Sequence, residues 1–397
     1  MKPVSTIASI DQLVNYLDSQ KVSNELCSEI VGGIQKNSMA LRLTHHVLRL
    51  IDWRSILQDP IRKQFLPLQS EYIESHPKAT QDSLTEKVFQ PQDGLIHRYP
   101  DKVLFLVSNA CPAYCSFCTR SYAIGPNTDS LTKYRWTSSG KSFQTRVKDL
   151  KEYLEVNSNV TDILLSGGDI ASVEPQLIDE LLNCLSNIQS LQTIRLATRT
   201  LLFEPSLFFF DTPLFRIITR HAQNLKKSNR ELSIQSHFNH PFEISLSSRT
   251  ASLALNQAGV TIRNQTVLLD GVNATFEIQK SLIENLWISG IQPYYVYQMD
   301  MVSNVEHFRT KLSTAIDISK QLTGVFAGFK LPRFIVDLPS GGGKRSVYEY
   351  EFHDREHGIY GFRSPCFSDN KIYYYYDPLR YLDSSTSKGA GGIKLNF

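Results

Sequence analysis

The stretch VLFLVSNACPAYCSFCTR, residues 103–120, joins an apolar run to three closely spaced cysteines. Its first half, built from Val, Leu and Phe, is typical of a β-strand that is buried on both faces. Cys111, Cys115 and Cys118 follow with the spacing C-x3-C-x2-C. Three thiols on a loop after a buried strand indicate a metal or cofactor site at the carboxyl end of an α/β sheet.

Five more apolar runs follow this stretch, and amphipathic segments separate them. The runs occupy residues 162–169, 193–200, 231–239, 260–269 and 291–300, and the predicted helices occupy 142–156, 175–188, 248–259, 275–290 and 306–322. Repeated β-α units require a parallel sheet, and six of them predict an α/β fold with a partial (β/α)6 barrel. An open doubly wound sheet is the alternative. Less regular residues near 121–142 and 203–230 are interpreted as insertions in β-α connections.

The predicted organisation has three parts: an N-terminal helical region at 1–96, the barrel core at 97–322 and a C-terminal segment at 323–397. The 397 residues carry 42 basic and 39 acidic side chains, a net charge of +3. This balance gives no electrostatic case for a nucleic-acid or membrane partner. No long apolar segment or signal peptide is visible, so we expect a cytoplasmic protein.

The cysteine triplet has two simpler explanations, a zinc site and three unrelated thiols. Zinc would need a fourth Cys or His at a matching spacing, and none follows. Three thiolates would instead leave one iron of a four-iron cluster open to an outside ligand. The carboxyl-terminal region retains only Cys366, and we predict no zinc there either.

A second feature is LPRFIVDLPSGGGKRSV, residues 331–347, in which a predicted strand runs into three glycines and Lys344. The phosphate-loop pattern G-x4-G-K-[ST] fails, because Leu338 stands where the first glycine belongs and Arg345 follows the lysine. A lysine after a flexible glycine run can form a Schiff base with an aldehyde. The alternative is a surface turn with a solvated lysine.

The cysteine segment resembles the radical S-adenosylmethionine superfamily, and its combination with the lysine segment resembles the lysine 2,3-aminomutase family. The resemblance covers roughly residues 94–344. It includes the segments GLIHRYPDKVLFLVSN, LLSGGD, HFNHPFEIS, RNQTVLLDGVN, PYYVYQMD and EHFRT.

The resemblance implies three cofactors. A 4Fe-4S cluster would be ligated by Cys111, Cys115 and Cys118, and S-adenosylmethionine would bind its free iron. Pyridoxal 5'-phosphate would be held by Lys344, with Arg98 and Lys102 at its phosphate, although the family generally has an arginine where Lys102 stands. The remaining S-adenosylmethionine contacts implied by the family are Gly167, Gly168, Asp169, His237, Asn239 and Gln265.

The resemblance also implies the substrate contacts, with Arg120 on the carboxylate and Asp300 and Asp337 on a distal ammonium group. A guanidinium suits a carboxylate, and two carboxylates suit a cation. The alternatives are a structural ion pair for Arg120 and capping or turn roles for the aspartates. Residues around these positions depart from the family pattern: Ser116 and Phe117 replace a basic pair, Ser121 and Tyr122 replace two arginines, and Met299 replaces a cysteine.

The implied function is a 2,3-aminomutase that converts a cationic L-α-amino acid, first of all L-lysine, into the β-amino acid. Arginine, another amino acid, or a protein lysine as in the relative that modifies elongation factor P are the alternatives, and an iron-sulfur electron carrier or sensor is the non-enzymatic one. The expected partners are a small amino acid and an electron donor such as flavodoxin or ferredoxin. A homo-oligomer stays open.

Overall fold

The computed structural model describes residues 4–137, 140–367 and 370–382. Its strands are β1 Thr6–Ile7, β2 Leu43–Thr44, β3 Leu95–Tyr99, β4 Lys102–Ser108, β5 Asp162–Gly167, β6 Thr193–Thr198, β7 Glu231–Ser236, β8 Thr261–Leu268, β9 Gln292–Gln298, β10 Arg333–Leu338, β11 Gly343–Ser346, β12 Phe352–Asp354, β13 Ile359–Arg363 and β14 Ile372–Tyr376. Its helices are α1 Ile10–Ser19, α2 Asn24–Lys36, α3 His45–Leu50, α4 Pro60–Phe65, α5 Phe143–Val156, α6 Pro175–Ser186, α7 Thr200–Phe203, α8 Pro213–Lys226, α9 Leu246–Gln257, α10 Phe276–Ile288 and α11 Leu312–Leu322.

Nine strands form the main sheet, in the order β11-β10-β9-β8-β7-β6-β5-β4-β3. Strands β4 to β9 are parallel and follow one another in space as they do in sequence, which confirms the six predicted strands and the partial (β/α)6 barrel. Strand β10 adds a seventh parallel strand, and β3 and β11 pair antiparallel at the two edges. The lysine segment is therefore part of the sheet.

The predicted helices are present, with one change at a start and one larger correction. The helix predicted over 306–322 begins at Leu312, after a 3-10 turn at Glu306–Phe308. The interpretation of 203–230 as an insertion was wrong, because α8 is the helix of the third β-α unit. Thr212 caps it, a proline occupies its first turn, and its buried residues recur at helical spacing.

The irregular residues near 121–142 pack on the N-terminal region. Ser130 donates a 2.7 Å hydrogen bond to the carbonyl of Asn37, and Lys133 donates to the carbonyl of Ser38. The Lys133 ammonium also donates to the carbonyl of Ser121 at 2.6 Å. This segment thus fastens the N-terminal helices to the loop after the cysteines, while residues 138–139 lie outside the described chain.

The outer parts of the chain flank the barrel. The N-terminal region contains α1 to α4 and the small β1-β2 sheet, and residues 66–94 hold only 3-10 turns and loops. The predicted boundaries at 96 and 322 stay predictions; the main sheet continues across both. The tyrosine run at 373–376 lies in β14 of a three-stranded sheet, and residues 383–397 are not described.

The hydrophobic core lies between the strands and the surrounding helices. Leu165, Leu196, Ile234 and Ile262 on successive strands are all completely buried. Burying such a side chain contributes roughly 1.5–3 kcal/mol, so this layer fixes the strands that carry the site. No helix in the described part of the chain combines the length and apolarity needed to cross a membrane.

The two edges of the sheet meet through side chains. Arg98 on β3 approaches Asp337 on β10 at 3.1 Å, and the hydroxyl of Tyr99 accepts a 3.0 Å hydrogen bond from the backbone N–H of Lys344 on β11. Within the described ranges the edge strands β3 and β11 share no backbone ladder. We call this set of contacts between β3 and β10–β11 the seam.

Candidate active site

The cysteine loop is fastened to the barrel and to the N-terminal region by backbone hydrogen bonds. The N–H of Gly168 donates to the carbonyl of Ser108 at 2.7 Å, and the N–H of Asp169 donates to Ala110 at 2.9 Å. From the other side, Ser116 N–H donates to the carbonyl of Gln64 at 2.9 Å. These backbone hydrogen bonds to the barrel and to the N-terminal region therefore fix the conformation of the cysteine loop.

The three thiols of this loop lie close enough to influence one another. Burial raises the pKa of all three, and for Cys118, with a pKa of about 11, the neighbouring Cys115 adds to the increase. A bound metal would reverse this by stabilising the thiolates. Within the described chain, no three His, Cys, Asp or Glu side chains converge on a single ion. Three adjacent buried thiols suit a four-iron cluster, where each thiolate binds its own iron.

Arg199, at the end of β6, is the partner of Cys115. Its Nη1 donates to the Sγ atom at 2.8 Å, while Nη2 donates to Gln64 at 2.6 Å and to Glu243 at 3.1 Å. The Glu243 side chain is fully buried. Arg199 Nε is buried without a hydrogen-bond partner among the described residues. Sequence reasoning missed this arginine as a site residue, although the polar ATRT strand end signalled it.

The glycines of the SGGD turn make close contacts within the protein. A Cβ added to Gly168 would overlap the carbonyl oxygen of Ala110, and Gly167 has a φ of +106°. The Asp169 carboxylate accepts hydrogen bonds from Thr198 Oγ1 and from the N–H of Arg199, both at 2.7 Å. This turn therefore holds the cysteine loop against the end of β6. The close approach that Gly168 permits is an approach to the cysteine loop itself.

His237, Asn239 and Gln265 lie on one side of the barrel mouth. Asn239 is fully buried and donates to Gln64 at 3.0 Å, and its Oδ1 lies 3.0 Å from Nε2 of His237. Burial and the charge of Arg199 lower the pKa of His237, so its ring is neutral. Gln265 accepts a 2.9 Å hydrogen bond from the hydroxyl of Tyr297.

Lys344 lies at the seam, directly opposite Asp337 in the antiparallel β10–β11 register. The expectation that Lys344 follows a flexible glycine run is wrong in one respect, because Lys344 belongs to strand β11. Its ammonium donates to the Asp337 carboxylate, which Arg98 also contacts. Burial alone would lower the Lys344 pKa, but Asp337, together with Tyr297 and Tyr99, raises it above its usual value. The Lys344 side chain is 32% exposed and that of Asp337 only 4%.

Asp300 follows β9 and faces the same region. Its Oδ2 accepts a 2.9 Å hydrogen bond from Thr119 of the cysteine loop. Its Oδ1 is buried and has no hydrogen-bond partner in the part of the chain that is described. Burial, and secondarily the Asp337 charge, raise the Asp300 pKa to about 7. A buried carboxylate oxygen without a partner fits a cationic ligand.

Arg120 forms an ion pair, which is the alternative that the sequence left open, and its partner Glu86 was not identified from the sequence. Its Nε and Nη2 donate to the two carboxylate oxygens of Glu86 at 2.8 and 2.7 Å, and its Nη1 donates to Ser166 at 3.3 Å. The Arg120 side chain is 22% exposed and that of Glu86 only 8%. No local pattern marked Glu86, because it lies 34 residues before its partner.

Lys102 and the residues that depart from the family pattern complete the surroundings. The Lys102 ammonium pairs with Asp101 at 2.6 Å and lies 4.7 Å from the ring centroid of Tyr99. Phe117 packs edge-on against His237, with ring centroids 6.0 Å apart. Met299 is completely buried. The replacements at 117 and 299 therefore make apolar contacts beside the cysteine loop and Asp300.

Comparison with known proteins gives relatives over most of the chain. The L-lysine 2,3-aminomutase of Fusobacterium nucleatum subsp. nucleatum is 34% identical over 341 residues, which cover 86% of this chain and 74% of that protein. The glutamate 2,3-aminomutase of Clostridioides difficile is 29% identical over 338 residues, 85% of this chain and 73% of that protein. No family model matches the chain.

Among solved structures, Streptococcus suis SuiB bound to S-adenosylmethionine is similar with a TM-score of 0.40 and 12% identity, over 64% of this chain and 65% of that chain. The barrel, its polar strand ends and the named relatives define an isomerase of the aminomutase type. The chain belongs to the lysine 2,3-aminomutase family.

Proposed function

We propose that this protein is a radical S-adenosylmethionine and pyridoxal-phosphate-dependent 2,3-aminomutase that acts on a free cationic L-amino acid, with L-lysine as its substrate. The observation that carries the proposal is the link between the two halves of the site. Thr119 of the cysteine loop contacts Asp300, and Asp300 lies within electrostatic reach of Asp337, the partner of Lys344.

The charge of the pocket supports a cationic side chain. The family includes both a lysine and a glutamate enzyme, so membership alone leaves the substrate open. Asp300 has a buried oxygen without a partner, and Asp337 lies beside it. A glutamate side chain would place a third carboxylate against these two, whereas an ammonium would satisfy both.

The cofactors would be held by residues whose chemistry suits them. Cys111, Cys115 and Cys118 would ligate the 4Fe-4S cluster. S-adenosylmethionine would be held by Gly167, Gly168, Asp169, His237, Asn239 and Gln265. Lys344 would hold pyridoxal phosphate, with Arg98 and, beside Tyr99, Lys102 near its phosphate. When bound, these groups supply a carbon radical that removes a hydrogen atom and a conjugated ring that carries the migrating nitrogen.

Asp337 would serve two partners in turn. In the ligand-free protein it binds Lys344 and Arg98, the same two cations expected to bind pyridoxal phosphate. Engagement of that cofactor by Lys344 and Arg98 would draw both cations away from Asp337 and leave its carboxylate available to the substrate ammonium. Arg120 would orient the substrate carboxylate, and the apolar packing of Phe117 would exclude water from the hydrogen transfer.

The test is anaerobic incubation of the reconstituted protein with lysine, arginine, ornithine and glutamate, followed by chromatography of the products. We expect a β-amino product from lysine and none from glutamate. If arginine alone gave a β-amino product, the assigned substrate would be arginine and not lysine. If no cationic amino acid gave a β-amino product, the proposal would be refuted. An assay with a lysine-containing protein substrate separates a protein-modifying enzyme.

A further inference from the structure

The bidentate pair between Glu86 and Arg120 uses only one edge of the guanidinium. An arginine has five N–H donors in two forks, one formed by Nε and Nη2 and the other by Nη1 and Nη2. Glu86 takes the first fork. Apart from the Nη2 contact with Glu86, the second fork makes one hydrogen bond among the described residues, from Nη1 to Ser166 at 3.3 Å. With 22% of its side chain exposed, Arg120 is not fully enclosed by these partners.

Glu86 itself has a fixed position. Tyr122 donates a 3.0 Å hydrogen bond to its carboxylate, and the Asp82 carboxylate accepts a 3.0 Å hydrogen bond from its backbone N–H. Burial alone would raise the pKa of Glu86, but Arg120, helped by Tyr122 and Arg98, lowers it, so the carboxylate is charged. A charged, buried carboxylate held on several sides is a rigid anchor for the guanidinium.

The segment 82–89 that carries Glu86 also contacts the glycine run before Lys344. The N–H of Ser340 donates a 2.9 Å hydrogen bond to the carbonyl of Ser83. A Cβ added to Gly341, whose φ is +81°, would lie 2.5 Å from the Phe89 ring. The segment thus sets the position of Arg120 relative to the seam, where the substrate nitrogen would be held.

We infer that Glu86 is a positioning residue that fixes Arg120 so that its Nη1–Nη2 fork donates hydrogen bonds to the substrate α-carboxylate. This inference rests on the proposed function, in which Arg120 binds that carboxylate. Without Glu86, the guanidinium would lose two charge-assisted hydrogen bonds and rotate among several orientations. The loss would fall on ligands that carry a carboxylate and would spare ligands that lack one.

The experiment compares lysine with cadaverine, which is lysine without the carboxylate, in the wild type and in Glu86→Gln. We expect the KM for lysine to rise about tenfold or more, in keeping with about 1.5–3 kcal/mol for a hydrogen bond to a charged group. The kcat should change much less. The inhibition constant of cadaverine should stay within about twofold, because a twofold change corresponds to a free energy well below that of the lost hydrogen bond.

The matched control is Glu71→Gln, which breaks a similar bidentate pair with Arg62, at 2.7 and 2.9 Å, in the N-terminal region. It should leave the lysine KM unchanged. Equal weakening of lysine and cadaverine in Glu86→Gln, or no change in either, would overturn the inference. If the wild type made no β-amino product at all, the proposed function would fail instead, so the two failures are distinguishable.

Discussion

The cysteine side and the lysine side of the barrel mouth are built differently. On the cysteine side, Asp169, Asn239 and Glu243 are buried and hydrogen-bonded to neighbouring residues of the chain. On the lysine side, Asp300 retains a buried oxygen without a partner in the described chain, and Lys344 is one-third exposed. These three side chains make the first side a hydrogen-bonded scaffold, although Arg199 Nε has no partner in the described chain, whereas the second side is an incomplete set of charges.

This difference indicates which side adapts to its ligands. Rearranging a buried hydrogen-bonded network would break several hydrogen bonds, so the cysteine loop keeps one geometry. The lysine side can exchange partners, because Asp337 already binds two cations that the proposed cofactor would take. Substitutions on the cysteine side should therefore weaken cofactor binding in graded steps. Substitutions on the lysine side should instead change which charged groups pair with one another.

The largest expected effect is on the lysine side. Lys344→Ala should abolish the visible absorbance of bound pyridoxal phosphate and lower activity by a factor of about 1,000 or more, since the group that would hold the cofactor is lost. The matched control is its neighbour Arg345→Ala, which pairs with Glu349 outside the site. An unchanged absorbance spectrum in Lys344→Ala would show that Lys344 does not hold the cofactor.

The next effect probes the rigidity of the cysteine side. Arg199→Met removes the donor to Cys115, and we expect the affinity for iron to fall by about 10- to 100-fold, as for other outer partners of metal ligands. The reduction potential of the remaining cluster should also fall. Iron content and potentiometric titration measure the two. Arg195→Met, on the same strand but paired with Asp162, should leave both unchanged.

The smallest effect is the pH dependence of substrate binding. Asp300 has a raised pKa of about 7, so it is neutral at lower pH and becomes a carboxylate as the pH rises. The KM for lysine should fall between about pH 6 and pH 8 by a few-fold, since only the carboxylate attracts the ammonium. Asp300→Asn should have a flat and higher KM. A flat wild-type profile would show that Asp300 does not titrate in this range.

The same raised pKa has a consequence for stability. Because the folded-state pKa of Asp300 lies above the unfolded value, the group favours the folded state at low pH, and that contribution is lost as the pH rises toward 7. Asp300→Asn should therefore unfold at higher denaturant concentration than the wild type at pH 8. Below about pH 3, where both the folded and the unfolded state carry the neutral acid, the difference should be small.

The strands were predictable because each is a short apolar run, but burial on both faces was expected and is not complete: on β5, Ile163 and Leu165 share a fully buried face, whereas Leu164 on the other face is only half-buried. Helix α8 of the third β-α unit was missed because its start, FFFDTP at 208–213, is a Phe-rich turn that ends in a proline and gives no periodic pattern. Strand β11 was missed because it follows two glycines and consists of Gly343 and three polar residues, which give no apolar alternation. Glu86 and Tyr99 were missed because their partners are 34 and 245 residues away.

The seam has a consequence for how the protein is made. Arg98 and Asp337 are 239 residues apart in the chain, so their contact closes a very large loop. Such closure is entropically costly and is gained late, after the intervening strands have assembled. During synthesis, the lysine pocket is absent until β10 and β11 have emerged. Cofactor capture by Lys344 would then mark a fully assembled chain, and binding would stabilise only the completed barrel.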